Sequence, residues 1–175
     1  MLLLFVRTQK TAIILNTIFM KTIVFILTLL ALWACQKKQD TTPAVIDKNK
    51  LLQLVNAIRQ QGCTCGAIAM PIVPPLVWNN LLEKAAQDHS QDMNQHTYFS
   101  HTSQDGRNPG QRITNVGYIW TTYAENIAEG YANEEAVIQG WKESEGHCKN
   151  IMSAKSTEMG VGKSGKYWTQ VFGKR

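Results

Sequence analysis

The stretch "MKTIVFILTLLALWAC" at residues 20–35 limits what the rest of the chain can fold into. A lysine is followed by an apolar run from Ile23 to Leu32 and then by Trp33-Ala34-Cys35. A charged start and a short apolar core are the pattern of a secretory signal peptide, and the run is too short and wrongly flanked for a spanning helix. Residues 1–34 are therefore expected to be removed, leaving 141 residues, enough for one domain around one core. Residues 1–19 add a second apolar, basic stretch, so Met20 is an alternative start, and an uncleaved anchor is the alternative to removal. The cut takes away Arg7, Lys10 and Lys21 and no acid, which lowers the net charge from +5 to +2. No basic run remains that would suit nucleic acid as a partner.

The ending Leu32-Trp33-Ala34-Cys35 resembles a bacterial lipobox, in which the cysteine carries lipid and becomes the new N-terminus. Trp33 is bulkier than the usual occupant of its position. The resemblance implies an exported, membrane-anchored lipoprotein, on the periplasmic or cell-surface side, with the membrane as partner through lipid on Cys35. Residues 35–46, "CQKKQDTTPAVI", are polar and lack an apolar period, so they read as a tether. Three cysteines remain, Cys63, Cys65 and Cys148. An oxidising compartment makes one disulfide and one leftover thiol the simplest count. Cys63 and Cys65 are poor partners for each other, because strand residues separated by one hold their sulfurs badly for a bond.

Residues 47–175 form the expected domain. "DKNKLLQLVNAIRQQG" reads as a helix capped by Asp47, with Leu51, Val55 and Ile58 at helical spacing and Gly62 after its end. Pro71, Pro74 and Pro75 forbid a helix in "MPIVPPLVW", which is expected to be extended and to deliver Leu76 and Trp78 to the core. A second helix starts near Asn79 or Asn80, and one face carries Leu82, Ala86, His89, Met93 and His96. His89, in the middle of that face, reads as a buried histidine bonded to backbone or a tyrosine rather than as a ligand. His96 near the helix end suits the dipole there. Asn108 and Pro109 suit the start of a short helix. A strand is expected around Tyr123–Ile127, then a helix capped by Asn133 with Val137, Ile138 and Trp141 apolar, broken by Gly146 before His147. Met159–Gly162 and Tyr167–Phe172 flank Lys163-Ser164-Gly165 and predict a hairpin. This order predicts an α+β domain with helices packed on a small, mainly antiparallel sheet. Trp78, Trp120, Trp141 and Trp168 read as core and rim packing. Asp105-Gly106 reads as a turn, since no further carboxylates sit at calcium-loop spacing.

Five pieces in order carry a family resemblance: "YFSH" at 98–101, "DG" and "R" after it, "AENIAEG" at 124–130, "W" with "SEGHCKNIM", and "MGVG" with "YWTQVFG". Together they resemble the CAP superfamily of cysteine-rich secretory, pathogenesis-related and venom-allergen proteins, in its bacterial SCP-like branch. The resemblance runs from about Leu51 to Phe172. It implies an α-β-α sandwich and a cleft carrying two histidines and two glutamates. By motif these are His101, Glu125 and His147, while the fourth position falls on Ser144, flanked by Glu143 and Glu145. It also implies that such a cleft holds a divalent metal such as zinc, or a lipid, sterol-like or cell-envelope ligand.

The residues themselves allow the same chemistry. Two facing imidazoles, His101 and His147, can ligate a divalent cation, with Glu125 behind them. Either a bound metal or Glu125 could activate water, which makes a hydrolase acting on peptide or cell-wall bonds the alternative. A structural envelope protein is the third reading, with Glu125 and Asn126 merely satisfying backbone groups. Nothing marks a nucleophile, there is no zinc-protease His-Glu-x-x-His helix, and Cys148 adjoins His147 in sequence, where neighbours point apart. A binding module is therefore expected ahead of an enzyme. The resemblance to relatives with "CG" and "GHC", together with Gly66 after Cys65, points to a Cys65–Cys148 disulfide, with Cys63 free or serving as the alternative partner.

Overall fold

A computed structural model describes residues 45–175. The expected signal segment, Cys35 and all but the end of the tether lie outside these residues. In chain order the elements are α1 (Lys48–Gln61), β1 (Cys63–Cys65), β2 (Ile68–Met70), β3 (Val77–Trp78), α2 (Asn80–His96), α3 (Pro109–Asn115), β4 (Thr122–Glu129), α4 (Glu134–Glu143), α5 (Glu145–Ile151), β5 (Glu158–Ser164) and β6 (Tyr167–Lys174). β1 and β2 make a small hairpin, and the main sheet has the order β3-β5-β6-β4. All its pairs are antiparallel except β3 with β5. Among the described residues no helix is long and apolar enough to cross a membrane.

The sheet separates two apolar layers because its strands alternate. Met159 and Val161 of β5 and Trp168 and Phe172 of β6 face α1, α4 and α5, and pack with Leu51, Val55, Val137, Ile138, Trp141, Cys148 and Ile151. The other face carries Val171, which packs with Leu82, Ala85 and Ala86 of α2 and Ile113 of α3. This is the α-β-α sandwich. On the α2 side the sheet presents Gly160 and Gly162. A Cβ built on Gly160 would fall 2.1 Å from the Glu83 nitrogen, and one on Gly162 would fall 2.3 Å from the Gln87 Cα. The glycines let the helix backbone lie directly on the strand.

Local chemistry explains the element ends. Asp47 accepts from the Lys50 N–H, Asn79 from Leu81 and Leu82, and Asn108 from Gln111 in a reciprocal capping box with Pro109 at the first turn. Three expectations shift. Ile58 is only half-buried, and the position one residue on is filled by Arg59, fully buried. Its guanidinium donates to the carbonyls of Pro74, Ile151 and Ser153, tying the proline segment to the end of α5. The hairpin turn moves forward to Gly165-Lys166, because Lys163 and Ser164 remain paired with β6 and Gln87 bonds both backbone groups of Lys163. Gly146 does not break a helix. The chain turns at Ser144, whose backbone is extended, and Gly146 lies inside α5. His147 is therefore a helix residue.

Candidate functional site

β4 is an edge strand, and the cleft runs along that edge. One wall is the loop after α2, the other is α4 and α5. The cavity measures about 620 Å³, within the usual range for small-molecule sites. Phe99, Ile127, Tyr131 and Trp141 give it apolar walls, and His101, Ser144 and His147 are among its polar groups.

His101 sits on the loop, and buried polar groups fix that loop from below. His89 is fully buried on α2, and its Nε2 lies 2.9 Å from the Ser100 carbonyl oxygen. Asp92 accepts from the Tyr98 hydroxyl and from the Gln104 N–H. Arg112 of α3, also buried, donates to the carbonyls of His101 and Arg107 and to the Ser103 hydroxyl. The same guanidinium is 2.5 Å from Glu125 Oε2, while Glu125 Oε1 is 2.8 Å from His101 Nδ1. Glu125 therefore lies behind the cleft with both oxygens engaged. It fixes the imidazole so that Nδ1 faces inward and leaves Nε2 for a ligand. His96, by contrast, is exposed and pairs with Asp92.

His147 comes from the opposite side of β4. Asn126, next to Glu125 but pointing to the other face, donates to the His147 carbonyl and to Gln170, and accepts from Asn150. The dipeptide Glu125-Asn126 thus serves both walls at once. Burial, and then the neighbouring His101 imidazole, lower the His147 pKa, which favours the neutral form of the ring that can ligate. Behind it Cys148 is bonded to Cys65, with Cα atoms 5.5 Å apart, pinning α5 to β1. That is why histidine and cysteine sit side by side.

The three candidates for the fourth position separate. Ser144 lines the cleft. Glu143 instead accepts from Gln139, and Glu145 lies against Gly66 and pairs with Lys149. Glu129, at the rim and paired with Lys166, is a cleft carboxylate that the sequence reading passed over. Arg112 was also missed, because a lone arginine in a short helix carries no spacing signal.

The His89 imidazole gives a stability prediction. Burial, aided by Arg112, pushes its pKa down, against opposing pulls from Glu125, Ser100 and Asp92. Below about pH 6.5 the unfolded chain takes up a proton that folded His89 refuses, so stability falls as pH falls, by up to about 1.4 kcal/mol per unit. The half-buried His147 ring acts in the same direction. Urea denaturation at pH 7.5 and 5.5 should show this loss, and His89→Gln should flatten it. An equally steep profile in the variant would assign the effect elsewhere.

Comparison with known proteins agrees with this fold. Residues 52–172 match the model of the family described as "CAP: Cysteine-rich secretory protein family". The chain is 38% identical over 147 residues to the uncharacterized protein YkwD of Bacillus subtilis (strain 168), covering 79% of this chain and 53% of that protein. It is 33% identical over 139 residues to the uncharacterized membrane protein YlbC of the same organism, covering 79% of this chain and 36% of that protein. A crystal structure of an extracellular protein containing an SCP domain, from Bacillus anthracis, superposes with a TM-score of 0.65 at 32% identity, over 73% of this chain and 40% of that one. The chain thus spans about half or less of the length of these relatives. With the five motifs, the sandwich and the cleft in place, the chain belongs to the cysteine-rich secretory protein (CAP) family.

Proposed function

We propose that the chain is an extracytoplasmic binding module whose cleft holds a divalent cation such as zinc between His101 and His147, beside a small apolar molecule or envelope component on the Phe99–Trp141 walls. The observation that carries this reading is the engagement of Glu125. One oxygen holds His101 Nδ1 and the other holds Arg112, so the imidazole is fixed with Nε2 available and the carboxylate is already committed. The donor set fits a cation at two positions, two imidazole nitrogens with water completing the shell. A bound cation would supply charge to orient an anionic or carbonyl group of the ligand. The hydrolase alternative is less well supported. Glu125 is no longer a free base, and Ser144 stands where a second carboxylate would be needed. The same reading places the module outside the cytoplasm on a lipid tether at Cys35. Its support is the apolar run before that cysteine and the extracellular SCP-domain relative.

Calorimetric titration of zinc into the oxidised protein tests the cleft. Wild type is expected to bind one cation, and His101→Ala and His147→Ala to bind it at least about tenfold more weakly. Indistinguishable isotherms would remove the cation from this pair.

A further inference from the structure

On the far side of α5 from the cleft lies a second cluster of donor groups. Cys63 is a free, half-buried thiol. Its sulfur is 3.6 Å from Cys148 Sγ and 3.9 Å from Cys65 Sγ, the two sulfurs of the disulfide. Among the described residues this is the one group of three His, Cys, Asp or Glu donors whose ligand atoms all lie within 4.8 Å of one another. We propose that Cys63, Cys65 and Cys148 form a soft-metal site in the reduced protein, taking a zinc-like divalent cation where the oxidised protein has its disulfide.

The arrangement favours a metal over thiol–disulfide exchange. Exchange needs the attacking sulfur on the axis of the bond it breaks. Cys63 is nearly equidistant from both sulfurs, so it lies beside the bond, and the three sulfurs make a triangle. Three thiolates around a tetrahedral zinc, with Zn–S near 2.3 Å, stand about 3.8 Å apart. The Cys63 spacings already bracket that value. The backbone supplies the frame. β1 places Cys63 and Cys65 two residues apart on one face, and β2 pairs with the strand and holds it straight. α5 delivers Cys148 against them, and both disulfide sulfurs belong to buried residues.

The chemistry balances with a dithiol as reductant. The dithiol closes to its own disulfide and gives up two electrons and two protons. The Cys65–Cys148 bond breaks, and each sulfur takes one proton. A divalent cation then displaces one proton from each of the three thiols into solvent and forms three metal–sulfur bonds, leaving a fourth position for water. Bond and cation are alternatives for the same sulfurs, and each ties α5 to β1.

Cobalt, a spectroscopic stand-in for zinc, tests this on the full chain, reduced with a phosphine and kept anaerobic. The reduced wild type is expected to give a thiolate-to-cobalt charge-transfer band saturating at one equivalent, with its near-UV circular dichroism preserved. The oxidised protein should give no such band. Cys63→Ser leaves the disulfide intact, and after reduction it should bind about tenfold more weakly with a weaker band. Alkylating Cys63 in the oxidised protein before reduction should have the same effect. The double variant His101→Ala/His147→Ala should keep the band, which separates this site from the cleft. No band in the reduced wild type overturns the proposal. So does a full band in Cys63→Ser, or a band that appears only after the near-UV signal is lost.

Discussion

Gly160→Ala and Gly162→Ala are each expected to cost the domain about 3 kcal/mol or more, a large part of the stability of a small domain. The new methyl carbon has no room. It would fall 2.1 Å from the Glu83 nitrogen in one case and 2.3 Å from the Gln87 nitrogen and Cα in the other. These are backbone atoms of α2, so no rotamer change relieves the contact, and the helix must lift off the strand. That movement would also break the bond from the Ser90 hydroxyl to the Gly162 carbonyl and the reciprocal pair of bonds between the Gln87 side chain and the Lys163 backbone. The consequence reaches the cleft, because α2 carries His89 and Asp92, which hold the loop bearing His101. Any folded fraction of Gly162→Ala should therefore also bind zinc more weakly. Gly146→Ala is the control. It lies in α5 with nothing within 4 Å of the added carbon, and should stabilise by about 0.5–1 kcal/mol through helix propensity. Urea midpoints measure all three. A Gly160→Ala midpoint equal to that of wild type would mean that α2 does not ride on the strand.

The motif "MGVG" shows how far the sequence could be read. Its alternation marks a strand, but the glycines become intelligible only once α2 is seen on their face. Helices with strong caps, at Asp47, Asn108 and Asn133, were legible because capping is local. His89 was legible as a buried histidine bonded to backbone, since its apolar neighbours fixed its face. What was not legible depends on distant partners. Lys163 and Ser164 look like turn residues, yet side chains of α2 keep them in the strand. Gly146 looks like a breaker, yet the break falls at Ser144, where α4 ends and α5 packs differently. The β1–β2 hairpin was not anticipated, because three-residue strands carry almost no periodic signal. Arg59 and Arg112 were overlooked for one reason. A buried arginine is recognised by the carbonyls and carboxylate that surround it, and those come from segments far away in the chain.

Arg112 and Glu125 give the other large effect. Both side chains are almost fully buried, and they are 2.5 Å apart. Glu125→Leu leaves the guanidinium without its counter-charge, for which about 3–5 kcal/mol is expected. Arg112→Met strands the carboxylate and also the carbonyls of His101 and Arg107, so it should cost at least as much. The double variant Arg112→Met/Glu125→Leu removes both charges together. It should be less destabilised than the sum of the two singles by roughly 2–3 kcal/mol, though the orphaned carbonyls keep it below wild type. Zinc binding separates stability from positioning. Nothing in the double variant holds His101 Nδ1, so the imidazole can rotate, and affinity should fall about tenfold to a hundredfold even in the folded protein. Denaturation and calorimetry on the four proteins read both quantities. Additive losses of stability would show that the pair is not coupled. Wild-type affinity in the double variant would show that Glu125 stabilises the fold without positioning His101.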